Sequence, residues 1–274
     1  SRRTARLEPS ELAAFMGSCG LTLYDGLKKV KVESYCNGIS VRTNALYELI
    51  DYVDDDEKCV LSKGKWYRFN KDYLEYLAAS LDEIETIYEP KYDYSSCLLE
   101  KFIQERYDKE RMDPEYDGLD GATIKQKLGS KYYRERAFNL LMSERFGFEC
   151  HDRESMTMDG YKIEVSDLYA EETLLAVKIG NASSALCYAI EQSTTSLRYY
   201  RQNAGKNLPA ARRFGVWLVL ARRNHLKLDG NGKPNINELR MISLKNRLDV
   251  WKKEVRLQGC TTIIRINYYD DRVT

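Results

Sequence analysis

Histidine is scarce in this chain. Of its 274 residues only His151 and His225 are histidine, and neither sits in an HExxH or HxxxH setting. Acid–base chemistry built on imidazole has little material, and so has a zinc site. The seven cysteines are odd in number and never form a CxxC pair, so clustered Cys/His ligation is excluded. Scattered thiols of this kind are expected to be reduced, as in a cytoplasmic protein. No apolar run approaches the ~20 residues that span a bilayer, and no segment resembles a signal peptide, so no membrane partner is expected. The sequence has no GxxxxGK[ST], GxSxG or GxGxxG motif, no internal repeat and no low-complexity tract. DGNGKPNINELR starts like a calcium loop, but its twelfth position is Arg240 and its glycine is misplaced.

What is present is an ordinary globular composition, 43% hydrophobic and 31% charged, which excludes wholesale disorder. The first residue is Ser1 rather than methionine, read as an expression scar, a processing site or the edge of an excised domain, so a longer natural protein is expected. The formal net charge of +1 conceals an asymmetry. Residues 1–120 carry 17 Lys and Arg against 25 Asp and Glu, and residues 121–274 carry 26 against 17. The basic half is expected to meet a polyanion, and the acidic half offers a surface for a partner protein.

Periodicity divides the chain into a small α+β domain over 1–94, a helical and acidic connection over 95–128, and a more regular domain over 129–274. In the first, Ser10 is expected to cap a helix from Glu11. Asn37-Gly38 and Lys63-Gly64 mark two hairpins. Ala45–Val53 reads as helix, as does Tyr73–Tyr88, with Leu74, Leu77, Leu81 and Ile84 on one stripe. Another helix is expected from about Ser95. Thr123 or Ser130 is expected to cap what comes next, and in the last domain Lys131–Phe146 reads as helix with Gly147 as its stop. FECHD, YKIEVSDL and TLLAVKIG read as three strands. Helix Ala182–Asn203, the continuously apolar strand RFGVWLVLAR, helix Glu238–Leu257 and strand TTIIRINYY follow. The order is α-β-β-β-α-β-α-β, an α/β (α+β overall) chain with a mixed sheet.

The chemistry concentrates in Tyr161–Gly180. Asp167 ends the second strand of that order and Lys178 ends the third. Phosphodiester cleavage needs a hard cation to activate water, carboxylates to hold it and an ammonium to stabilise developing charge. By strand alternation Ile163, Val165 and Asp167 share one face, where a lone acid is costly unless Lys178 or a metal pairs with it. Two residues before Lys178, where a second acid belongs, stands Ala176. Replacement acids are sought in Glu164 of the strand, Glu135 and Glu144 of the preceding helix, and Glu191 of the following one.

This order, with Asp167 and Lys178 at neighbouring strand ends, resembles the PD-(D/E)XK, or restriction-endonuclease-like, superfamily, whose core is αβββαβ. The resemblance implies a Mg2+ (or Mn2+) nuclease site with Asp167, Glu164 and Glu135 on the metal, Lys178 on the water or phosphate, and Gln192 in support. Glu164, Asp167, Lys178, Ser183, Ser184 and Gln192, with GKWYRFNKDYL upstream, are also similar to a sporadically distributed, uncharacterised bacterial family found near mobile elements and defence genes.

Between Glu191 and Arg223 lie Arg198, Arg201, Lys206, Arg212, Arg213, Arg222 and Arg223, with Tyr199 and Tyr200 interleaved. These residues are expected to hold a nucleic-acid backbone, DNA in the first instance. The expected function is thus a magnesium-dependent nuclease of a bacterial antiviral defence or mobile-element protein, a homodimer among its expected assemblies. The alternatives are an inactive nuclease-fold module that binds DNA or RNA, and an interaction module that senses a phage or partner protein.

Overall fold

The structure is a computed structural model. It describes residues 9–151, 155–158, 161–164, 166–202 and 209–272, with the backbone alone for Pro9, Leu23, 155–158 and 161–164. The chain forms two compact units, Ser1–Leu74 and Glu75–Thr274.

In the first unit, helices α1 (Pro9–Ser18) and α2 (Leu23–Lys29) precede a hairpin of β1 (Lys31–Cys36) and β2 (Ile39–Ala45). Ser10 lies inside α1 rather than capping it. The hairpin turn is Asn37-Gly38, at φ 51° and 80°, the left-handed pair that a two-residue loop requires. β3 (Tyr52–Asp54), β4 (Cys59–Ser62) and β5 (Lys65–Arg68) form a meander, with Lys63-Gly64 at its second turn. The segment 45–53 is not the expected helix. Glu48 turns back to accept from the Ala45 N–H at 3.1 Å, closing a single 3-10 turn, and Tyr52 and Val53 then pair with Leu61 and Val60. Met16, Val30 and Leu46 form this unit's small core.

The second unit contains most of helix α3 (Lys71–Asp82), which stops well before Tyr88. The next residues form β6 (Glu85–Ile87), paired with Ile263–Arg265. β7 (Tyr94–Ser95) leads into α4 (Ser96–Glu110). α5 (Gly121–Lys131) is capped by Asp120, whose Oδ1 accepts from Thr123 N at 2.8 Å; neither Thr123 nor Ser130 is the cap. α6 (Arg134–Phe146) ends at Gly147, φ 75°. β8 (Glu149–Cys150) follows, then a separate ribbon of β9 (Ser155–Met158) and β10 (Tyr161–Glu164), then β11 (Leu168–Ala170) and β12 (Thr173–Gly180). The expected single strand YKIEVSDL is therefore split, and only its last residue joins the large sheet. α7 (Ser183–Gln202), β13 (Arg213–Leu220), α8 (Ile242–Leu257) and β14 (Thr261–Asp270) complete the unit. α8 starts later than expected, after a 3-10 turn at Ile236–Glu238.

The large sheet runs β6-β14-β13-β12-β11-β8, with β7 also on β14. β12, β13, β14 and β6 are parallel, while β11 and β8 run antiparallel to their neighbours. The whole is α+β with a mixed sheet. β13 is buried on both faces, as its unbroken apolar sequence requires. One face of β12 (Leu174, Ala176) packs with residues of α7 and α8, and the other (Leu175, Val177, Ile179) with residues of α4, α5 and α6. At the centre, a Cβ on Gly215 would meet Leu175 Cδ2 at 2.5 Å and Ile263 Cγ2 at 2.8 Å. Gly215→Ala is expected to lower stability by about 1–3 kcal/mol, read from denaturant unfolding.

α8 is fastened to α3 by buried charge. Asp249 accepts from Ser80 Oγ at 2.5 Å and from Tyr76 and Lys253, and Lys252 donates to Ser80 O at 2.7 Å. Burial pushes the Asp249 carboxyl up, but the bonds from Lys253, Ser80 and Tyr76 outweigh it and hold the group below its ordinary range. A depressed carboxyl stabilises the fold above its unfolded pKa of about 4 and loses that contribution as pH falls through the folded value. The stability gap between wild type and Asp249→Asn should therefore be widest at pH 6 and shrink below about pH 4, followed by unfolding midpoints at each pH.

Candidate functional site

β11 pairs with β12 only as far as Leu168 opposite Leu175, with one further bond from Asp167 N to Leu175 O at 3.0 Å. Beyond that point the chain leaves the sheet. In a strand, alternate residues turn their N–H groups to the same side. The amides of Val177 and Ile179 therefore face the edge that β11 has vacated, while Ala176 and Lys178 bond toward β13. Buried amides must be satisfied. Two carboxylates do it. Asp167 Oδ2 accepts from Val177 N at 2.6 Å, and Glu135 Oε1 accepts from Ile179 N at 3.1 Å.

The second oxygen of Glu135 holds Lys178, with Nζ 2.9 Å from Oε2. Both side chains are only about a quarter exposed. Lys178 Nζ also lies 5.2 Å from the Tyr188 ring centroid on α7. Next to Glu135, Arg134 donates to Ile179 O at 3.3 Å, so both backbone groups of Ile179 are met from the first turn of α6. The result is an acid–lysine–acid row along one strand edge, at the carboxyl end of the parallel strands. In open α/β sheets ligands sit at that end.

The partner of Lys178 is thus Glu135, one of the sought replacement acids. Asp167, 7% exposed, sits on a backbone amide of the same strand. Ala176 is 2% exposed and packed in the core, so no acid occupies its position. Glu144 pairs with Arg106, and Glu191 pairs with Arg247 at 2.5 Å, which removes both from the row. Glu164 is described in its backbone only, in the β9–β10 ribbon; its side chain and Val165 lie outside the described residues. Gln192 is half-buried, one helical turn beyond Tyr188 on the same face of α7.

Asn139 was not anticipated. It lies one turn after Glu135 on α6, is 2% exposed, and its Oδ1 has no hydrogen-bond partner among the described residues. α6 starts level with Ile179 and leads into β8, which flanks Leu168 opposite Leu175, so it runs back along β12. One turn covers ~5–6 Å, close to two strand residues, which places Asn139 about level with Val177 and the Asp167 carboxylate. A polar residue amid Ala137, Phe138 and Leu141 was the available signal. His151 was also set aside, yet its N–H bonds Asp167 O at 2.9 Å.

The cations expected on nucleic acid do not form one stripe. Arg198 is held bidentately by Glu254, and Arg201 donates to Gln258 at 3.0 Å. Arg212 and Arg213 pair with Glu172 and Glu171, the β11–β12 turn residues, which adopt φ 56° and 49°. Tyr199 is buried in the core and offers no ring to a base. Lys206 lies outside the described residues. Arg222 and Arg223 follow the other end of β13. Sequence proximity grouped residues that an eight-residue strand keeps apart.

A family of unknown function, DUF6119, matches residues 6–214. That is well over half the chain. The chain belongs to the DUF6119 family. The matched DUF6119 segment contains Glu135, Asn139, Asp167 and Lys178, and it ends two residues into β13. No curated protein and no solved structure matches the chain.

Removing the Asp167 side chain would bare the Val177 amide. Asp167→Ala is expected to cost about 1–3 kcal/mol in a thermal or denaturant melt, as for a buried unsatisfied donor. Asp167→Asn retains an acceptor oxygen and should cost markedly less.

Proposed function

We propose that the second unit is a restriction-endonuclease-like core and that the Asp167–Glu135–Lys178 row cleaves phosphodiester bonds in nucleic acid, DNA in the first instance. The single observation carrying this reading is that two carboxylates and a lysine line one edge of β12 where β11 parts from it. Such a row places anionic oxygens and an ammonium around one point, which is what phosphoryl chemistry needs.

A divalent cation belongs to this reading, and the residues present fit it. Among the described residues no three His, Cys, Asp or Glu side chains gather as a metal cluster. The orphaned Asn139 Oδ1 is the missing oxygen: it is hard, buried and about level with the Asp167 carboxylate. Asp167, Asn139 and Glu135 would hold Mg2+, an all-oxygen set suited to that ion. When bound, the ion would lower the pKa of a water and neutralise charge on the phosphate. Lys178, kept beside the row by Glu135, would stabilise negative charge on a non-bridging phosphate oxygen. Tyr188 and Gln192 would limit the directions that Lys178 can take.

Isosteric variants separate chemistry from folding, because Asn and Gln keep the acceptors for Val177 and Ile179. With Mg2+ present and plasmid or oligonucleotide substrates, Asp167→Asn, Glu135→Gln and Lys178→Met should each lose at least about a hundredfold in cleavage, as for loss of an electrostatic group. Their melting temperatures should stay near that of wild type. Wild-type cleavage that persists in all three would overturn the assignment.

The burial of Ala176 favours a second reading, a non-catalytic nucleic-acid-binding module on the same scaffold. Binding that weakens with salt, without Mg2+-stimulated turnover in the wild type, would select it.

A further inference from the structure

At the carboxyl ends of β13 and β14 lies a cleft of about 490 Å³, between the start of α4 and the 221–225 loop. Ala221, in its wall, donates to Gly180 O at 3.1 Å, and Arg134 stacks 4.8 Å over Tyr269, also in the wall. The cleft therefore adjoins the Glu135–Lys178 row without sharing its side chains. Its lining residues from Ala221 onward all lie beyond the segment that matches the family, while Asp93, Tyr94, Ser95 and Leu98 lie within it.

Three features of this cleft point to an anion. Tyr94 lines it, is 3% exposed, and its hydroxyl has no hydrogen-bond partner among the described residues. Burial, with Tyr269 beside it, pushes the Tyr94 phenol well above its ordinary value, so it remains a donor at neutral pH. An orphaned buried donor is costly unless a ligand meets it. Second, Arg222 and Arg223 line the cleft, and neither guanidinium has an ion pair or side-chain hydrogen bond among the described residues. Third, Ser95 and Leu98 bring the positive end of the fifteen-residue α4 to the same wall.

The acids nearby are largely spoken for. Asp93 accepts from Asn267 Nδ2 at 2.8 Å, Tyr268 N at 3.0 Å and Tyr88 Oη at 2.8 Å. Asp270 is gripped by Arg272, which holds its carboxyl down at about 2. Asp271 remains exposed at the rim, a natural acceptor for a sugar hydroxyl. Beside the arginines, His225 stacks on Tyr268 with ring centroids 3.6 Å apart and planes 4° from parallel. His225 is itself exposed, with Tyr88 edge-on to its ring at 6.0 Å, and offers a platform on which a base can stack. The volume suits one nucleotide.

We propose that this cleft binds a nucleoside phosphate, with the phosphate on Arg222, Arg223 and the Tyr94 hydroxyl and the base on His225. Such a ligand has two sources, a free nucleotide or the phosphorylated end of a strand. The site stands apart from the cleavage reading, because none of its contacts is a member of the row.

The test is calorimetric titration of the purified chain with AMP, adenosine, a 5′-phosphorylated oligonucleotide and its 5′-hydroxyl counterpart. Phosphate-bearing probes should bind at least tenfold tighter than their counterparts lacking it. Arg222→Ala with Arg223→Ala should erase that preference. Tyr94→Phe should weaken the phosphate-bearing probes severalfold without lowering the melting temperature of the ligand-free protein, because it removes an unsatisfied donor. Tighter binding of the phosphorylated strand than of AMP identifies a strand end; equal or tighter AMP binding identifies a free nucleotide. Asp167→Asn should bind all probes as wild type does, so loss of cleavage and loss of this site read separately. No preference for phosphate, or a preference that survives the paired arginine variant, overturns the proposal.

Discussion

The vacated edge of β12 is the constraint on which the second unit turns. A buried strand edge cannot be left with bare amides, and here, among the described residues, no neighbouring strand supplies the acceptors beyond Leu175. Side-chain carboxylates stand in for a strand at two successive positions. That substitution brings acids into a place where hydrophobic packing alone would never put them. Their charge is then met by backbone dipoles and Lys178, which is why a polar row persists beside the buried faces of the sheet.

The same arrangement gives each acid two loyalties. Glu135 divides its oxygens between Ile179 and Lys178, so the lysine's position is set by the strand's own geometry. Arg134 extends this outward, from Ile179 O to the ring of Tyr269. The two candidate sites of the unit are thus joined by one residue at the start of α6, and rigid elements rather than loops fix their separation.

Much of the architecture was legible because it depends on local rules. Asn37-Gly38 and Lys63-Gly64 announce left-handed turns, and the two-sided burial of β13 is written in RFGVWLVL. Glu135 was visible as a candidate because a helix start next to a strand end is predictable from element order. The split at Tyr161–Leu168 was not, since apolar alternation runs through it and only tertiary pairing decides where the sheet resumes. Tyr199 misled because a Tyr-Tyr pair on a helix looks equally exposed at both positions. Asn139 was hidden because burial is not written in a single polar letter. The cleft was invisible because its walls come from Asp93–Leu98 and Tyr268–Arg272, far apart in the chain.

The β11–β12 turn is not held by local contacts alone. Glu171 and Glu172 both occupy a backbone region that suits glycine, a cost for ordinary residues. The Glu171 and Glu172 carbonyls and carboxylates are clasped by Arg212 and Arg213, some forty residues downstream. A hairpin, usually the most local of β structures, here depends on residues far downstream in the chain. The turn that joins the site's own strands is thereby held in shape from β13, the middle of the sheet.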